Sequence, residues 1–217
     1  MRNPRQAVPA ALLVFAACTG AVQAPAASAP QTAGPQAGHD AHAQHGPALA
    51  ASAGPGYSVA DVRFMQHMIG HHAQAIEMAA MAPTNGAGPR LRELARKIDI
   101  SQRDEIELMK DWLRQRQQPV PTDEQAHAMP MPGMLTAEQM AELAAARGRE
   151  FERLFLTYMI RHHEGALQMV DELFSTPGAG QEPDIFRFAT DVDADQRDEI
   201  YVMRMMLAEL DNPGGSR

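Results

Sequence analysis

Cysteine and aromatic residues are scarce in this chain. A single cysteine among 217 residues excludes a disulfide framework and any zinc or iron–sulfur centre held by several thiolates. Aromatic residues contribute only 5% of the composition, whereas hydrophobic residues contribute 45% and methionine alone occupies 15 positions. The core is therefore expected to consist mainly of aliphatic and thioether side chains.

Basic residues and long apolar runs are scarce as well. Lysine and arginine number 19 against 27 aspartates and glutamates, and the formal net charge of −8 argues against binding to a nucleic-acid backbone. No stretch approaches the ~18 consecutive apolar residues of a membrane-spanning helix. We therefore expect neither a nucleic-acid partner nor an integral membrane span.

Residues 1–24 have the pattern of an export signal. Arg2 and Arg5 precede a short apolar run that is not long enough to span a bilayer. Cleavage near Ala24 would release a free protein, whereas acylation of the only cysteine, Cys18, would produce a lipid-anchored one. Both alternatives place the mature chain in the periplasm or on the outer face of a bacterial membrane.

Residues 25–56 are expected to form a disordered linker, because they are rich in alanine, proline and glycine and contain almost no large hydrophobic side chain. His39, His42 and His45 recur at every third position within this linker. Short histidine tracts are typical of metal binding, although a polar linker that happens to contain histidine explains them equally well. Residues 211–217 are expected to form a short tail.

The expected folded part, residues 57–210, contains an internal duplication. The segment Met68-Ile-Gly-His71-His72 recurs as Met159-Ile-Arg-His162-His163, and Gln102–Ile106 recurs letter for letter as Gln196–Ile200. Each half, 57–117 and 136–210, is therefore expected to be one helical hairpin. A crossover at 118–135, rich in proline and methionine, joins the two halves.

Capping and proline signals set the predicted helix boundaries. Ser58 and Thr136 are suited to N-cap positions, and Pro89 and Pro183 to first helical positions. The predicted helices are 59–82, 89–117, 136–174 with a bend near Gly148, and 183–211. Four long helices with one long crossover predict an all-α, ferritin-like four-helix bundle built from two duplicated hairpins.

Methionine and histidine recur together on the predicted helix faces. Adjacent residues of a helix point about 100° apart, so only one histidine of each doublet is expected to face inward. A methionine stripe alone is usually core packing, but its duplication beside histidine doublets favours metal binding. The candidate ligands of an interior site are Met68, His72, Met159 and His163, helped by Met109 and Met203, and a further site would use His71, His162, Met78 and Met169.

The chemistry of these side chains favours one metal. Thioether sulfur is soft and uncharged, and together with imidazole it selects Cu(I), with Ag(I) as a mimic, over zinc. Glu105 and Glu199 also occupy inward positions. They are interpreted either as acceptors for the second N–H of a ligating histidine or as ion-pair partners of Arg103 or Arg161.

Further histidines and methionines are candidate accessory ligands. The crossover carries His127, Met129, Met131 and Met134, in a segment that is either a copper-capture loop or a plain proline-rich linker. The first predicted helix adds Met65 and His67. The second half has Leu156 and Tyr158 at the corresponding positions, so a site that uses Met65 or His67 would not be symmetric.

The duplicated Met-x-x-His-His signature, the Glu164-Gly165-Ala166 that follows it and the repeated Gln-Arg-Asp-Glu-Ile segments resemble the CopM-type family of exported copper-binding proteins. The resemblance covers about residues 57–210, the whole of the expected folded part. It implies a ferritin-like four-helix fold and a protein that sequesters Cu(I) or hands it on in copper tolerance.

The sequence therefore predicts a periplasmic copper-binding protein and not an enzyme. Copper ions are its expected partners, and a copper exporter or another periplasmic copper protein is the candidate that exchanges them. Two alternatives stay open. One is a carboxylate-containing metal oxidoreductase that uses Glu105 and Glu199, and the other is a metal-free structural or partner-binding module with a methionine-rich core.

Overall fold

Six helices occupy residues 49–212, the part of the chain that the computed structural model describes. They are α1 Val59–Met81, α2 Pro89–Gln115, α3 Asp123–Ala128, α4 Ala137–Ala145, α5 Gly148–Ser175 and α6 Pro183–Asp211. These residues contain no strand beyond an isolated bridge between Gly54 and Tyr57, and none of their helices is long and apolar enough to cross a membrane. The predicted export signal with Cys18, the histidines at 39, 42 and 45, and most of the tail lie outside the described residues.

The ends of the long helices agree with the capping and proline signals. The Ser58 hydroxyl accepts a hydrogen bond from the backbone N–H of Asp61, and the Asp61 carboxylate accepts one from the backbone N–H of Ser58 at 2.7 Å. Pro89 and Pro183 begin α2 and α6, because a proline at the first helical position loses no intrahelical hydrogen bond. The prediction of an all-α chain is confirmed.

The predicted bend near Gly148 is a complete break between α4 and α5. The side-chain amide of Asn85 donates to the carbonyl oxygens of Leu143 and Ala146 at the end of α4. The Asn85 carbonyl in turn accepts a hydrogen bond from the N–H of Gly148 at 2.8 Å, and Gly148 has a φ of +57°. These contacts satisfy the backbone groups at the break and orient the start of α5.

Two antiparallel hairpins, α1 with α2 and α5 with α6, pack against each other through α1 and α5. Their buried side chains form two apolar clusters. The first apolar cluster combines the N-terminal halves of α1 and α6 with the C-terminal halves of α2 and α5, and the second combines the opposite halves. The hairpins are thus related by an approximate two-fold axis, and the predicted four-helix bundle of duplicated hairpins is confirmed.

A layer of buried polar side chains separates the two apolar clusters. It contains His71 and His72 of α1, Gln102 of α2, His162 and His163 of α5, and Gln196 of α6. We call it the histidine layer. Glu105 and Glu199 reach it from the edge of the bundle, with side chains that are 17% and 21% exposed. Burying polar groups is unfavourable unless they are paired, so packing alone does not account for this layer.

The crossover covers the side of the histidine layer formed by α1 and α5. The Gln74 side chain of α1 donates to the carbonyl of Leu135 at 3.0 Å and accepts from its N–H at 2.7 Å. On α5, Gly165 allows the carbonyl of Pro132 to approach the helix, since a Cβ there would collide with it. The crossover is therefore held against both helices by its backbone.

Candidate metal centre

His72 and His163 are fully buried, and each forms a hydrogen bond to a carboxylate. His72 Nε2 lies 2.6 Å from Glu105 Oε2, and His163 Nε2 lies 2.6 Å from Glu199 Oε2. An ionised carboxylate can only accept, so a neutral imidazole here has its hydrogen on Nε2 and a lone pair on Nδ1. Both Nδ1 atoms are buried and have no hydrogen-bond partner among residues 49–212.

The two carboxylates contact histidines and not the arginines that the sequence offers as alternatives. Arg103 instead pairs with Asp99 at 2.8 Å, and Arg161 donates to Gln139 at 2.8 Å. A carboxylate behind an imidazole is the arrangement that fixes the tautomer and the ring orientation of metal-binding histidines. The geometry thus agrees with the interpretation of these carboxylates as orienting groups.

His71 and His162 meet at the centre of the histidine layer, so both members of each doublet are buried instead of one. Their ring centroids are 3.8 Å apart. His71 Nε2 donates to the carbonyl of Pro132 at 3.0 Å, whereas neither ring nitrogen of His162 has a partner in the described part of the chain. Burial, reinforced by the neighbouring imidazoles, lowers the pKa of His71 to about 3 and the pKa of His162 well below its usual value. Both rings are therefore neutral near pH 7.

Acidification is expected to destabilise the metal-free protein through these two rings. The unfolded chain takes up their protons near pH 6.5, whereas folded His71 does so only near pH 3, so the unfolded state binds more protons between these values. The free energy of unfolding should fall as the pH drops below 6.5, by at most about 1.4 kcal/mol per pH unit for each histidine.

Urea unfolding between about pH 5.5 and pH 7.5, above the titration of most carboxylates, measures this dependence. His162→Gln should make the curve shallower, because the variant no longer has that buried base. An equally steep curve for this variant would contradict the assignment.

The candidate methionines are all buried, but they divide between the two apolar clusters. The first apolar cluster contains Met68, Met109 and Met169, and the second contains Met78, Met159 and Met203. Met68 and Met159, which the sequence pattern groups around one ion, therefore lie on opposite sides of the histidine layer. Met109 and Met203 are separated in the same way, and so are Met78 and Met169. The duplication thus places the candidate ligands in two equivalent groups, one in each apolar cluster.

The accessory methionines all belong to one end of the bundle. Met65 and Met131 are buried in the first apolar cluster, and Met129 and Met134 are partly buried against it. The methionines of the crossover thus lie beside the group that contains Met68. None of them lies beside the group that contains Met159.

The accessory histidines lie outside the histidine layer. His67 is half-buried in a groove between α1 and α5, where burial and the positive charge of Arg63 lower its pKa. His127 is exposed on α3, and hydrogen bonds to the Asp123 carbonyl and the Glu77 carboxylate raise its pKa. His127 is therefore occupied by contacts of its own.

The groups that close the histidine layer, namely Gln74, Pro132 and Gly165, are not among the site residues that the sequence pattern predicts. A glycine inside a helix destabilises it unless another backbone has to approach closely. Gly165 was therefore the available signal that the crossover passes over α5, whereas nothing in the sequence distinguishes Gln74 from a surface glutamine.

The donors in this region suit a soft metal. Residues 49–212 contain no group of three or more His, Cys, Asp or Glu side chains that could hold a metal ion. Met68 nevertheless lies one helical turn before His72, and Met159 one turn before His163, so each buried histidine shares a helix face with a soft donor. A site with nitrogen and thioether sulfur ligands fits Cu(I) or Ag(I).

Comparison with known proteins gives the family. The family model described as a domain of unknown function, DUF305, matches residues 61–207. No curated protein matches the chain significantly.

Solved structures match most of the chain. A DUF305 fragment from Deinococcus radiodurans is 33% identical over 69% of this chain and 96% of its own, with a TM-score of 0.60. The "putative secreted protein DUF305" from Streptomyces coelicolor is 31% identical over 70% of this chain and 92% of its own, with a TM-score of 0.61. CopM in its Cu(I)-bound form is 32% identical over 69% of this chain and 96% of its own, with a TM-score of 0.55. The Cu(II)- and Ag-bound forms of CopM match as well. The chain is therefore a member of the CopM-type DUF305 family.

Proposed function

We propose that this protein is an exported copper-binding protein that carries Cu(I) as its cargo in two equivalent interior sites. It sequesters the ion or passes it to a partner in copper tolerance, and it binds copper without catalysing a reaction. The observation that carries the proposal is the pair of buried imidazoles, His72 and His163, whose Nδ1 atoms have no hydrogen-bond partner within residues 49–212.

A bound ion would satisfy these nitrogens. A buried acceptor without a partner costs ~1–3 kcal/mol, so a protein retains one only where something else is gained. His72 and His163 would coordinate through Nδ1, while Glu105 and Glu199 hold the opposite N–H of each ring. Such a carboxylate raises the basicity of the imidazole and keeps it in the orientation that the metal requires.

Thioether sulfurs would complete each donor set. The first set is His72 with Met68 and Met109, and Met169 belongs to the same apolar cluster. The second set is its two-fold equivalent, consisting of His163 with Met159 and Met203, with Met78 in the same cluster. These ligands are neutral and soft, so they favour a monovalent soft ion, whereas a divalent ion in the apolar interior would lack compensating charge.

His71 and His162 would supply further nitrogen donors between the two sets. Their rings are in contact and neutral near pH 7, because burial lowers both pKa values. An ion that leaves one set would therefore meet imidazole before it meets the other set. The two sites would be linked by ligands instead of being isolated in separate apolar clusters.

The comparisons support the cargo and the compartment. CopM has been solved with Cu(I), Cu(II) and silver, and the Streptomyces relative is named as a secreted protein. The oxidoreductase alternative would need Glu105 and Glu199 as metal ligands, whereas Oε2 of each carboxylate accepts a hydrogen bond from a buried histidine, as expected of a group that orients a ligand. A metal-free packing module would not explain why imidazole nitrogens without hydrogen-bond partners within residues 49–212 occupy the centre of the core.

An anaerobic titration of the full chain with Cu(I) against a competing chelator, with Zn(II) in parallel, tests the proposal. We expect two Cu(I) ions per chain to be withdrawn from the chelator and Zn(II) to bind far more weakly. We also expect Cu(I) to raise the melting temperature, since a ligand that binds only the native state stabilises it. Failure to compete for Cu(I), or equal affinity for Zn(II), would contradict it.

A further inference from the structure

A groove of about 580 Å³ opens between the N-terminal half of α1 and the C-terminal half of α5. Two potential metal ligands, His67 and Met169, line it, together with apolar side chains and with Arg63 and Glu172, whose charges are opposite. Met169 also belongs to the first apolar cluster, which contains Met68 and Met109. Met169, which packs with the methionines of the first donor set, is therefore accessible from this groove.

The residues at the two-fold equivalent of this groove are arranged differently. Tyr158 replaces His67 there, and its hydroxyl donates to Glu142 of α4. α4 lies against both α1 and α5, and its Leu143 is fully buried in the second apolar cluster. The equivalent methionines differ accordingly, since Met169 is 6% exposed and Met78 is 0% exposed.

We propose that Cu(I) enters and leaves the protein through this one groove, with His67 and Met169 as the ligands that transfer it. This inference rests on the proposed function and adds the route. An incoming ion exchanges a ligand of its donor for the His67 imidazole and then passes to the Met169 thioether. The oxidation state of copper does not change, and the released donor ligand returns to solvent. The second donor set is then filled from within the bundle.

The duplication makes this asymmetry informative. Both halves retain the interior ligands, but only one of the two equivalent rim positions carries an imidazole, since His67 lines the groove and Tyr158 takes the corresponding place. Within residues 49–212, α4 is the element that breaks the symmetry, because it packs on the second apolar cluster and no helix precedes α1 in the same way. A port at one end is what this arrangement provides.

Anaerobic stopped-flow transfer of Cu(I) between a coloured chelate and the full chain tests the route in both directions. In His67→Ala, loading of the metal-free protein and removal of copper by excess chelator should both slow about tenfold, as expected when a partner at a metal site is lost. The copper content reached at equilibrium should stay at the wild-type value, since an altered route changes both rates together. His67→Met, which keeps a soft donor, should restore both rates.

Tyr158→Phe serves as the matched control at the two-fold equivalent position and should transfer copper at the wild-type rate. Unchanged rates in His67→Ala, or a failure of His67→Met to restore them, would overturn the route. If the wild-type chain itself took no Cu(I) from the chelate, the proposed function would fail. If the wild type bound Cu(I) normally but His67→Ala left both transfer rates unchanged, only the proposed route would be overturned and the proposed function would stand.

Discussion

Alanine at both His72 and His163 is expected to abolish high-affinity Cu(I) binding, and alanine at either one to remove one ion per chain. In the proposed sites each imidazole is the nitrogen ligand of its set, because Nδ1 of each ring has no hydrogen-bond partner within residues 49–212. The affinity lost at each site should exceed the ~10–100-fold that removal of an outer hydrogen-bond partner costs. Anaerobic chelator competition on each variant measures the number and the affinity of the remaining sites.

The single variants contain their own control for folding. If His72→Ala still binds one Cu(I) with wild-type affinity, the second donor set and the bundle around it are intact. The loss of one Cu(I) ion then results from the missing ligand at the first site and not from general unfolding. Wild-type affinity at both sites in His72→Ala would contradict the ligand assignment.

Glu105→Gln provides a graded comparison with His72→Ala. The glutamine oxygen can still accept a hydrogen bond from His72 Nε2, but without the charge that raises the basicity of the ring. The affinity of the first site should fall ~10–100-fold, less than in His72→Ala. If Glu105→Gln were the more severe variant, the carboxylate would be a direct ligand and the oxidoreductase alternative would gain support.

The fold was predictable because local signals and the duplication agree. Ser58, Pro89, Thr136 and Pro183 start helices where the capping rules place them. α3 was missed although Thr122 and Gln125 form a capping box, because six residues among prolines look like part of a linker. The break before Gly148 required Asn85, which contacts α4 from a loop distant in sequence.

The site was only partly predictable, because residue spacing on a helix gives the direction in which a side chain points but not its position along the axis of the bundle. Met68 and Met159 occupy equivalent inward positions, yet α1 and α5 are antiparallel. A residue that lies one turn before a histidine in α1 is therefore nearer one end of the bundle, and the equivalent residue in α5 is nearer the opposite end. The burial of all four histidines depends on how α1, α5 and the crossover meet, which spacing along one helix does not encode. The Glu105–His72 and Glu199–His163 contacts were predictable, because the sequence repeats both partners.

The double substitution Met68→Leu with Met109→Leu is expected to remove one Cu(I) per chain and to leave the fold unchanged. Leucine has nearly the volume of methionine, and such swaps in a core usually cost less than about 1.5 kcal/mol. The change therefore removes the sulfur ligands while the first apolar cluster stays filled. Met159→Leu with Met203→Leu should remove the other ion. Chelator competition gives the stoichiometry, and urea unfolding checks the fold.

A matched control replaces two methionines outside the donor sets, Met206→Leu with Met140→Leu. Met206 is buried in the second apolar cluster and Met140 packs against it, so the variant removes as many thioethers from similar surroundings. It should retain both Cu(I) sites. Loss of copper in this control would show that the core as a whole, and not particular sulfurs, determines binding.

The two double substitutions also decide between two separate donor sets and one shared set. If Met68 and Met159 held one ion between them, either pair of leucines would abolish binding. If the sets are separate, each pair removes one ion and leaves the other with its original affinity. We expect the second result, because the histidine layer lies between these sulfurs and each of them packs with a different apolar cluster. With all four leucines in place the imidazoles would keep only the accessory thioethers beside them, so the preference for Cu(I) over Zn(II) should fall.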